Sequence, residues 1–182
     1  MRTSPAREKL LESASALFYE EGIGATAVDD VVRAAGVSKP TLYAHFGSKS
    51  ELVAAVLARR HAARAEELAA IEGGPLAVFA WLEGFYAREG ARGCAFLNAA
   101  AELPEPGPGR DAAAREKAWL REELARRARE AGARAPERLG SQLALLVDGV
   151  AARVVVDGHA AAPTALADAT AAARALMAAA AG

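Results

Sequence analysis

The chain has 182 residues, of which 53% are hydrophobic and 25% are charged, so it has enough apolar side chains to bury a core. Its formal net charge of -1 at pH 7 excludes a polycationic character as the basis of any nucleic-acid binding. A single cysteine, Cys94, excludes an intrachain disulfide and is typical of a reducing compartment. There is no secretory signal pattern and no run of about 20 uninterrupted apolar residues, so we expect a cytoplasmic protein with no membrane partner.

The first predicted helix begins at Ser4-Pro5, a capping residue followed by a proline that suits the first helical turn. Apolar residues recur on one face as far as about Glu20, and Gly22 and Gly24 then end the helix. We expect this helix and the two that follow to share one small core, built from Leu10, Leu17, Phe18, Val31, Leu42 and Phe46.

The next two predicted helices are short and are joined by a turn. Starting at Val28, valines and alanines recur at the i, i+3, i+4, i+7 spacing of one apolar helix face. Gly36 ends this helix, because only glycine takes a positive φ without a penalty from a Cβ atom. After a three-residue turn, Pro40 stands in the first turn of a second helix, which runs to about His45 because Gly47 follows. Two short helices around a glycine turn are a helix-turn-helix signature.

The second short helix has the composition of a recognition helix. Two apolar residues, Leu42 and Phe46, suffice to anchor it, and most of its other side chains are polar. The polar residues are Lys39, Thr41, Tyr43 and His45. A generic helical hairpin rarely carries so many polar groups on so short a helix, so the pattern favours binding to DNA.

The rest of the chain also has helical patterns. Ser48 and Glu51 form a capping box, S-x-x-E, at the start of a longer helix that runs to about Leu68. Five more helices are predicted at residues 76–89, 94–103, 110–131, 136–157 and 163–180. Because no period-two pattern is sustained anywhere, we expect an all-α protein of about nine helices.

A set of motifs in residues 4–57 points to a known family. The motifs are Thr26…Val28-Asp29-Asp30-Val31, Ala35-Gly36-Val37-Ser38, Thr41-Leu42-Tyr43…His45-Phe46 and Lys49…Glu51-Leu52. Together they resemble the DNA-binding head of the tetracycline-repressor-like (TetR/AcrR) family of bacterial regulators. Many members have Ser or Thr where this chain has Ala27, so either Thr26 or Ala27 is expected to cap the second helix.

This resemblance implies a domain organisation and a function. Members are all-α dimers of about nine helices, in which a variable ligand-binding core follows the DNA-binding head. Residues 1–47 would form a helix-turn-helix DNA-binding domain, and residues 48–182 a helical ligand-binding and dimerisation domain that the helix from Ser48 connects to it. We expect a dimeric, sequence-specific transcriptional regulator, a repressor released from a pseudo-palindromic operator by a small, largely apolar ligand. The alternative is a helical small-molecule-binding protein whose head no longer binds DNA.

The candidate DNA contacts form two groups. Residues at the start of the recognition helix are expected to read base edges, because that end enters the major groove: Ser38, Lys39, Pro40 and Thr41. The residues expected to hold phosphates are Tyr43, His45 and Lys49. Lys49 lies in the first turn of the next helix, where a lysine opposes the helix dipole and so suggests a nearby anion. Tyr43 has the alternative of packing on the head's own core.

The C-terminal half offers weaker candidates. By the resemblance, an apolar ligand would bind there, with Trp81, Phe85, Phe96 and Trp119 as walls and Asn98 as a polar group that orients it. For each aromatic residue taken singly, ordinary core packing is the alternative. Since one head contacts too little DNA to be selective, we expect a homodimer with its heads about one helical turn, ~34 Å, apart on double-stranded DNA. The last two helices, 136–157 and 163–180, are the expected interface, unless they pack within the monomer.

No catalytic or metal site is legible. His45, His61 and His159 are too scattered in the sequence to predict a metal site. No arrangement of Ser, His and Asp, no paired carboxylates and no phosphate-binding glycine loop is present. We therefore expect neither an enzyme nor a cofactor.

Overall fold

The computed structural model describes residues 4–89, 92–104 and 106–181. Within these residues it has nine α-helices, one short 3-10 helix and no β-strand, which confirms the expected all-α fold. The helices are α1 (Pro5–Glu20), α2 (Val28–Ala35), α3 (Lys39–Phe46), α4 (Lys49–Ala69), α5 (Leu76–Arg88), α6 (Ala95–Glu102), α7 (Pro108–Glu130), α8 (Pro136–Asp157) and α9 (Ala162–Ala180), with the 3-10 helix at His159–Ala161 before α9.

The start of α2 resolves which of two residues caps this helix. Ala27 occupies the N-cap position with an extended backbone, and its N–H donates to the carboxylate of Asp30 at 3.1 Å. The side chain of Thr26 is fully buried, and its hydroxyl donates to the carbonyl oxygen of Gly22 at 2.7 Å. Thr26 therefore closes the α1–α2 loop, and Asp30 provides the side-chain hydrogen bond at the start of α2. At the other end, Gly36 adopts the expected left-handed conformation with a φ of 65°.

Residue contacts divide the chain into two compact units. Within the described residues, the head unit comprises residues 4–63, 95–104 and 106–115, and the core unit comprises residues 64–89, 92–94 and 116–181. The head unit thus contains α1, α2, α3, most of α4, the whole of α6 and the start of α7. This contact-based division differs from the division at residue 47 expected from the sequence, because residues 49–63 of α4 fall in the head unit with α1, α2 and α3.

Five of the six residues expected in the core of the head are buried. They are Leu10, Phe18, Val31, Leu42 and Phe46, whereas Leu17 is half-buried. The inner face of α4 is also buried within this unit, at Leu52, Val53, Val56 and Leu57. The buried residues of α1, α2 and α3 and the inner face of α4 together fill the interior of the head, so the polar side chains of α3 lie nearer its surface.

Helix α6 is fastened to the loop that follows α1. The carboxylate of Glu102 accepts a hydrogen bond of 2.7 Å from the backbone N–H of Gly24. Asn98, on the same helix, borders a cavity of about 20 Å³ together with residues of α1 and α4. These contacts explain why α6 belongs to the head unit although it follows the first part of the core unit in sequence.

The core unit packs α5, α7, α8 and α9 around one apolar cluster. Helix α8 contributes six buried residues to this cluster, more than any other helix. Among the described residues, α8 is the helix that is long and apolar enough to cross a bilayer, and 44% of its most apolar window is buried. Core helices pass the same test, so this property is weak evidence for a membrane span.

Candidate nucleic-acid interface

Helix α3 is anchored by two buried apolar side chains, and its other residues are exposed or half-buried. Leu42 is fully buried and Phe46 is 4% exposed, four residues apart on one face. Lys39 and Pro40 are exposed, and the side chain of Tyr43 is 43% exposed. The structure therefore favours an outward Tyr43 over the alternative in which this residue packs into the core of the head. An exposed polar face on a short anchored helix is the arrangement that binding in a DNA groove requires.

The start of α3 is held by a pair of hydroxyl groups. Ser38 is the N-cap residue, and its Oγ accepts a hydrogen bond of 3.3 Å from the backbone N–H of Thr41. The two hydroxyl oxygens lie 2.7 Å apart and share a second hydrogen bond. Both residues therefore take part in the cap of the free protein, and each hydroxyl keeps at least one donor or acceptor that can face a base edge.

Lys39 is ion-paired within the head. Its Nζ lies 2.9 Å from the carboxylate of Asp29, in the first turn of α2. The hydrogen bond and the charge of Asp29 raise the pKa of Lys39, so this residue stays cationic. In the sequence, Asp29 completes a T-x-x-D pattern from Thr26 that predicts a cap for α2, and its contact with Lys39 was not predicted. The available signal was the adjacent pair of acids, Asp29 and Asp30. Because Asp30 alone caps α2, Asp29 is left to pair with another residue.

His45 lies in the last turn of α3 and is half-buried. Its ring meets the edge of the Phe46 ring, with 6.3 Å between the centroids. The guanidinium of Arg7, in α1, lies 5.1 Å from the centroid of the same phenylalanine ring. Arg7 and His45 therefore both contact the Phe46 ring, an arrangement that the sequence pattern alone did not indicate.

Lys49 has a structural contact that the sequence did not reveal. Its Nζ donates a hydrogen bond of 2.5 Å to the carbonyl oxygen of Ile23, in the α1–α2 loop. The two residues are 26 positions apart, so no local pattern predicts this contact. An ammonium group has three N–H donors, and two of them remain for a phosphate. Lys49 can therefore hold the loop and a phosphate together.

The five residues expected to line a ligand site are not brought together in one unit. Trp81, Phe85 and Trp119 lie in the core unit, each half-buried against the apolar cluster. Phe96 and Asn98 belong to the head unit, where Phe96 is buried.

Trp81 and Phe85 form part of a polar edge of the core unit. Their rings stack with 5.6 Å between centroids, and the indole N–H of Trp81 donates to Glu67 at 2.7 Å. The guanidinium of Arg64 lies over the Trp81 ring, 5.3 Å from its centroid. Arg64 also donates at 2.7 Å to the buried carboxylate of Glu116. These contacts show that Trp81 is engaged by charged neighbours on the same unit.

A larger cavity lies elsewhere in the core unit, between α5, the 3-10 helix and α9. Its volume is about 720 Å³. Its walls are mostly apolar, and its charged residues are Glu83 on α5 and Arg174 on α9. At one end, Nε2 of His159 lies 2.8 Å from the carbonyl oxygen of Tyr86. The apolar wall is formed by Leu76, Phe79, Ala80, Ala162, Pro163, Leu166, Ala167 and Ala171.

Comparisons with known proteins agree on one family. The profile described as bacterial regulatory proteins of the tetR family matches residues 10–56. FasR, an HTH-type transcriptional activator of Mycolicibacterium smegmatis, is 51% identical over 53 residues, which make up 29% of this chain and 24% of FasR. The match thus spans about a quarter of the length of that relative.

Two solved structures match along almost the whole chain. A protein from Streptomyces avermitilis assigned to the TetR transcriptional regulators is 35% identical with a TM-score of 0.77, covering 94% of this chain and 99% of its own. SCO4454, a TetR-family transcriptional regulator from Streptomyces coelicolor, is 28% identical with a TM-score of 0.83, covering 99% and 98%. The similarity therefore includes the core unit as well as the head.

Proposed function

Because the chain belongs to the TetR family of DNA-binding transcriptional regulators, we propose that it acts as a homodimeric repressor. The dimer binds a pseudo-palindromic operator in the cytoplasm and leaves it when a small, largely apolar ligand binds. The observation that carries the DNA-binding part is the outward polar face of α3 over the buried anchors Leu42 and Phe46.

On the operator, we assign base reading to the start of α3 and phosphate binding to its flanks. Ser38, Lys39, Pro40 and Thr41 enter the major groove, where Lys39 donates to guanine O6 and N7 and Thr41 contacts a thymine methyl group. Tyr43, His45 and Lys49 bind phosphate oxygens and fix the register of the head. The exposure of Lys39, Pro40 and Tyr43 supports this assignment.

For the homodimer, the supporting feature is an exposed face of α8. Leu145 is 69% exposed and Val156 is 80% exposed, although both are large apolar residues. Gly149 and Ala152 lie between them on the same side of the helix and are also exposed. A Cβ atom built on Gly149 would meet no other atom within 4 Å, so the face is open. We name these four residues the α8 stripe. Its spacing of four, three and four residues and its small central residues suit close packing against the same helix of a second copy.

For the ligand, the supporting feature is the 720 Å³ cavity of the core unit. Small-molecule sites in proteins have volumes of about 300–1,000 Å³ and are lined mainly by apolar groups. The cavity between α5 and α9 meets both conditions. The alternative residues remain Trp81, Phe85 and Trp119 in the core unit and Phe96 and Asn98 in the head unit. The ligand acts as a releasing agent only if it binds better to the form of the dimer that has left DNA.

Selection of bound sites from a pool of random duplexes tests the proposal. The wild-type dimer should enrich two inverted half-sites at one constant spacing, about one helical turn apart. The double variant Lys39→Ala/Tyr43→Ala serves as the control, because both changes are on the surface and should abolish the enrichment without unfolding the head. Transcription in vitro from a promoter carrying the selected site should then fall when protein is added. A folded wild-type protein that enriches no sequence would refute the proposal and favour a small-molecule-binding protein with an inactive head.

A further inference from the structure

The two adjacent acids at the start of α2 have different partners. Asp30 accepts hydrogen bonds from the backbone N–H of Ala27 at 3.1 Å and from Arg33 at 2.6 Å. The Ala27 N–H first, and Arg33 second, lower the pKa of Asp30. Asp29 takes no part in this cap, and within the described residues its partner is Lys39 at 2.9 Å. Asp30 thus builds the helix, whereas Asp29 faces the helix that reads DNA.

The pair between Asp29 and Lys39 is of a kind that opens readily. The two side chains are 65% and 49% exposed, so water screens their attraction and can replace it. Asp29 also lies in the first turn of α2, where the helix dipole stabilises a carboxylate. The Asp29 carboxylate therefore already occupies Lys39 in the free head, and DNA must compete with it for the lysine.

Phosphates and base edges compete with Asp29 on unequal terms. When Lys39 moves from Asp29 to a phosphate, it exchanges one anion for another, so little binding free energy is gained. A guanine in the major groove offers two acceptors, O6 and N7, inside the negative potential of the groove. At a correctly placed guanine, O6, N7 and the potential of the groove act on Lys39 together, whereas an arbitrary phosphate only replaces the anion that the lysine leaves.

We propose that Asp29 is a specificity-determining residue, which withholds Lys39 from phosphates until the operator presents base acceptors. The inference rests on the proposed function, because it requires that the head reads DNA. It assigns Asp29 a positioning role that acts through Lys39. When the Asp29 carboxylate is removed, Lys39 is free to add one phosphate contact to every non-specific complex.

The test compares Asp29→Asn with the wild-type chain on two duplexes, one of random sequence and one carrying the selected operator. Affinities are measured from 50 to 300 mM salt. On random duplex, the slope of log affinity against log salt should steepen by about 0.9, the value of one added phosphate contact. Affinity at about 0.1 M salt should accordingly rise roughly five- to tenfold, since one contact scales with the 0.9 power of the salt concentration. On the operator the slope should stay the same, so the ratio of specific to non-specific affinity falls.

Three further variants separate this mechanism from simpler ones. Glu21→Gln removes the same charge from an exposed position at the end of α1 and should leave the slope on random duplex unchanged. Lys39→Gln should abolish the effect of Asp29→Asn when the two are combined. Asp29→Ser repeats the measurement with a side chain that also suits a helix start, and circular dichroism checks the fold of each variant.

Every outcome decides the matter. An unchanged slope in Asp29→Asn, the same change in Glu21→Gln, or an effect that persists in the Lys39→Gln background would each overturn the inference. A wild-type protein that binds the selected site no better than random duplex would instead overturn the proposed function. The two failures are therefore distinguished by the wild-type measurement alone.

Discussion

Arg127, in α7, donates a hydrogen bond of 2.6 Å to the carbonyl oxygen of Leu68, in the last turn of α4. The same guanidinium donates to the carbonyl oxygens of Ile71 and Gly73 and to the carboxylate of Glu123. The side chain of Arg127 is 1% exposed, so these groups replace all of its water. The last carbonyl groups of a helix have no partner within that helix, and this arginine supplies one inside the core unit.

We therefore expect Arg127→Met to lower the free energy of unfolding by about 3–5 kcal/mol, as removal of one partner from a buried charge network does. Chemical denaturation measures this change. Arg126→Met is the matched control, because Arg126 immediately precedes Arg127, pairs with the same Glu123 and has a side chain that is 47% exposed. Its loss should cost less than about 1 kcal/mol. Equal effects of the two variants would show that burial at Arg127 is not the source of its contribution.

Glu123 gives the core unit a dependence on pH. Hydrogen bonds from Arg126 first and then from Arg127 lower the pKa of Glu123 below its ordinary value of 4.5, against the opposing effect of burial. A carboxyl group with a depressed pKa in the folded state stabilises the fold above its unfolded pKa and stops doing so as the pH falls through the folded value. The difference in unfolding free energy between wild type and Glu123→Gln should therefore be constant from pH 7 to about 5 and shrink below pH 4.5. A difference that is independent of pH down to 2.5 would contradict this expectation.

Lys49→Ala should have two measurable effects, because Lys49 has two partners in our assignment. Loss of one phosphate contact should reduce the salt slope of DNA binding by about one unit and weaken all sequences evenly. Loss of the hydrogen bond to Ile23 should lower the stability of the head by about 1 kcal/mol. Arg121→Ala, which removes an exposed cation from α7 in the core unit, should leave both quantities unchanged. A changed sequence preference at constant salt slope would assign Lys49 to base reading instead.

The α8 stripe predicts which substitution separates the dimer. Leu145→Glu places a charge in the proposed contact and should convert the protein to a monomer in sedimentation experiments at micromolar concentration. Val155→Glu is the control, because Val155 is also apolar and 56% exposed but lies outside the stripe. Its oligomeric state should remain that of the wild type. Dissociation by both variants, or by neither, would place the interface on another surface.

The cavity between α5 and α9 can be tested without knowledge of the natural ligand. The fluorescent probe 1-anilinonaphthalene-8-sulfonate brightens in apolar sites and should bind the wild-type protein. Ala171→Phe puts a ring into the cavity wall and should reduce the bound signal severalfold. Ala175→Phe, one turn further along α9 and outside the wall, should not. Equal signals in all three proteins would show that the probe binds elsewhere and leave the cavity without a ligand role.

The sequence predicted the fold well because the decisive signals are local. Periodic apolar residues, Gly36 and Pro40 define α2 and α3 within a few positions of where they lie. The exposed side of α3 also followed, since only Leu42 and Phe46 can anchor so short a helix.

The partners of the candidate site residues could not be predicted in the same way. The contacts of Lys39 with Asp29 and of Lys49 with Ile23 depend on how helices pack, and no periodicity encodes them. For the same reason, Phe96 and Asn98 were grouped with aromatic residues that belong to the other unit. Residue types indicated what chemistry was available, whereas three-dimensional packing determined which groups meet.

The openness of the α8 stripe has a consequence for how such a regulator responds to its own abundance. If two copies must meet through Leu145 and Val156 before both heads can engage, the fraction of operator that is occupied rises with the square of the monomer concentration at low expression. A cell would then see a steeper threshold than a monomeric regulator gives, because occupancy follows two powers of protein concentration instead of one. Replacing Leu145 or Val156 with a smaller side chain would weaken the dimer and move that threshold to a higher protein concentration, without altering any contact to DNA.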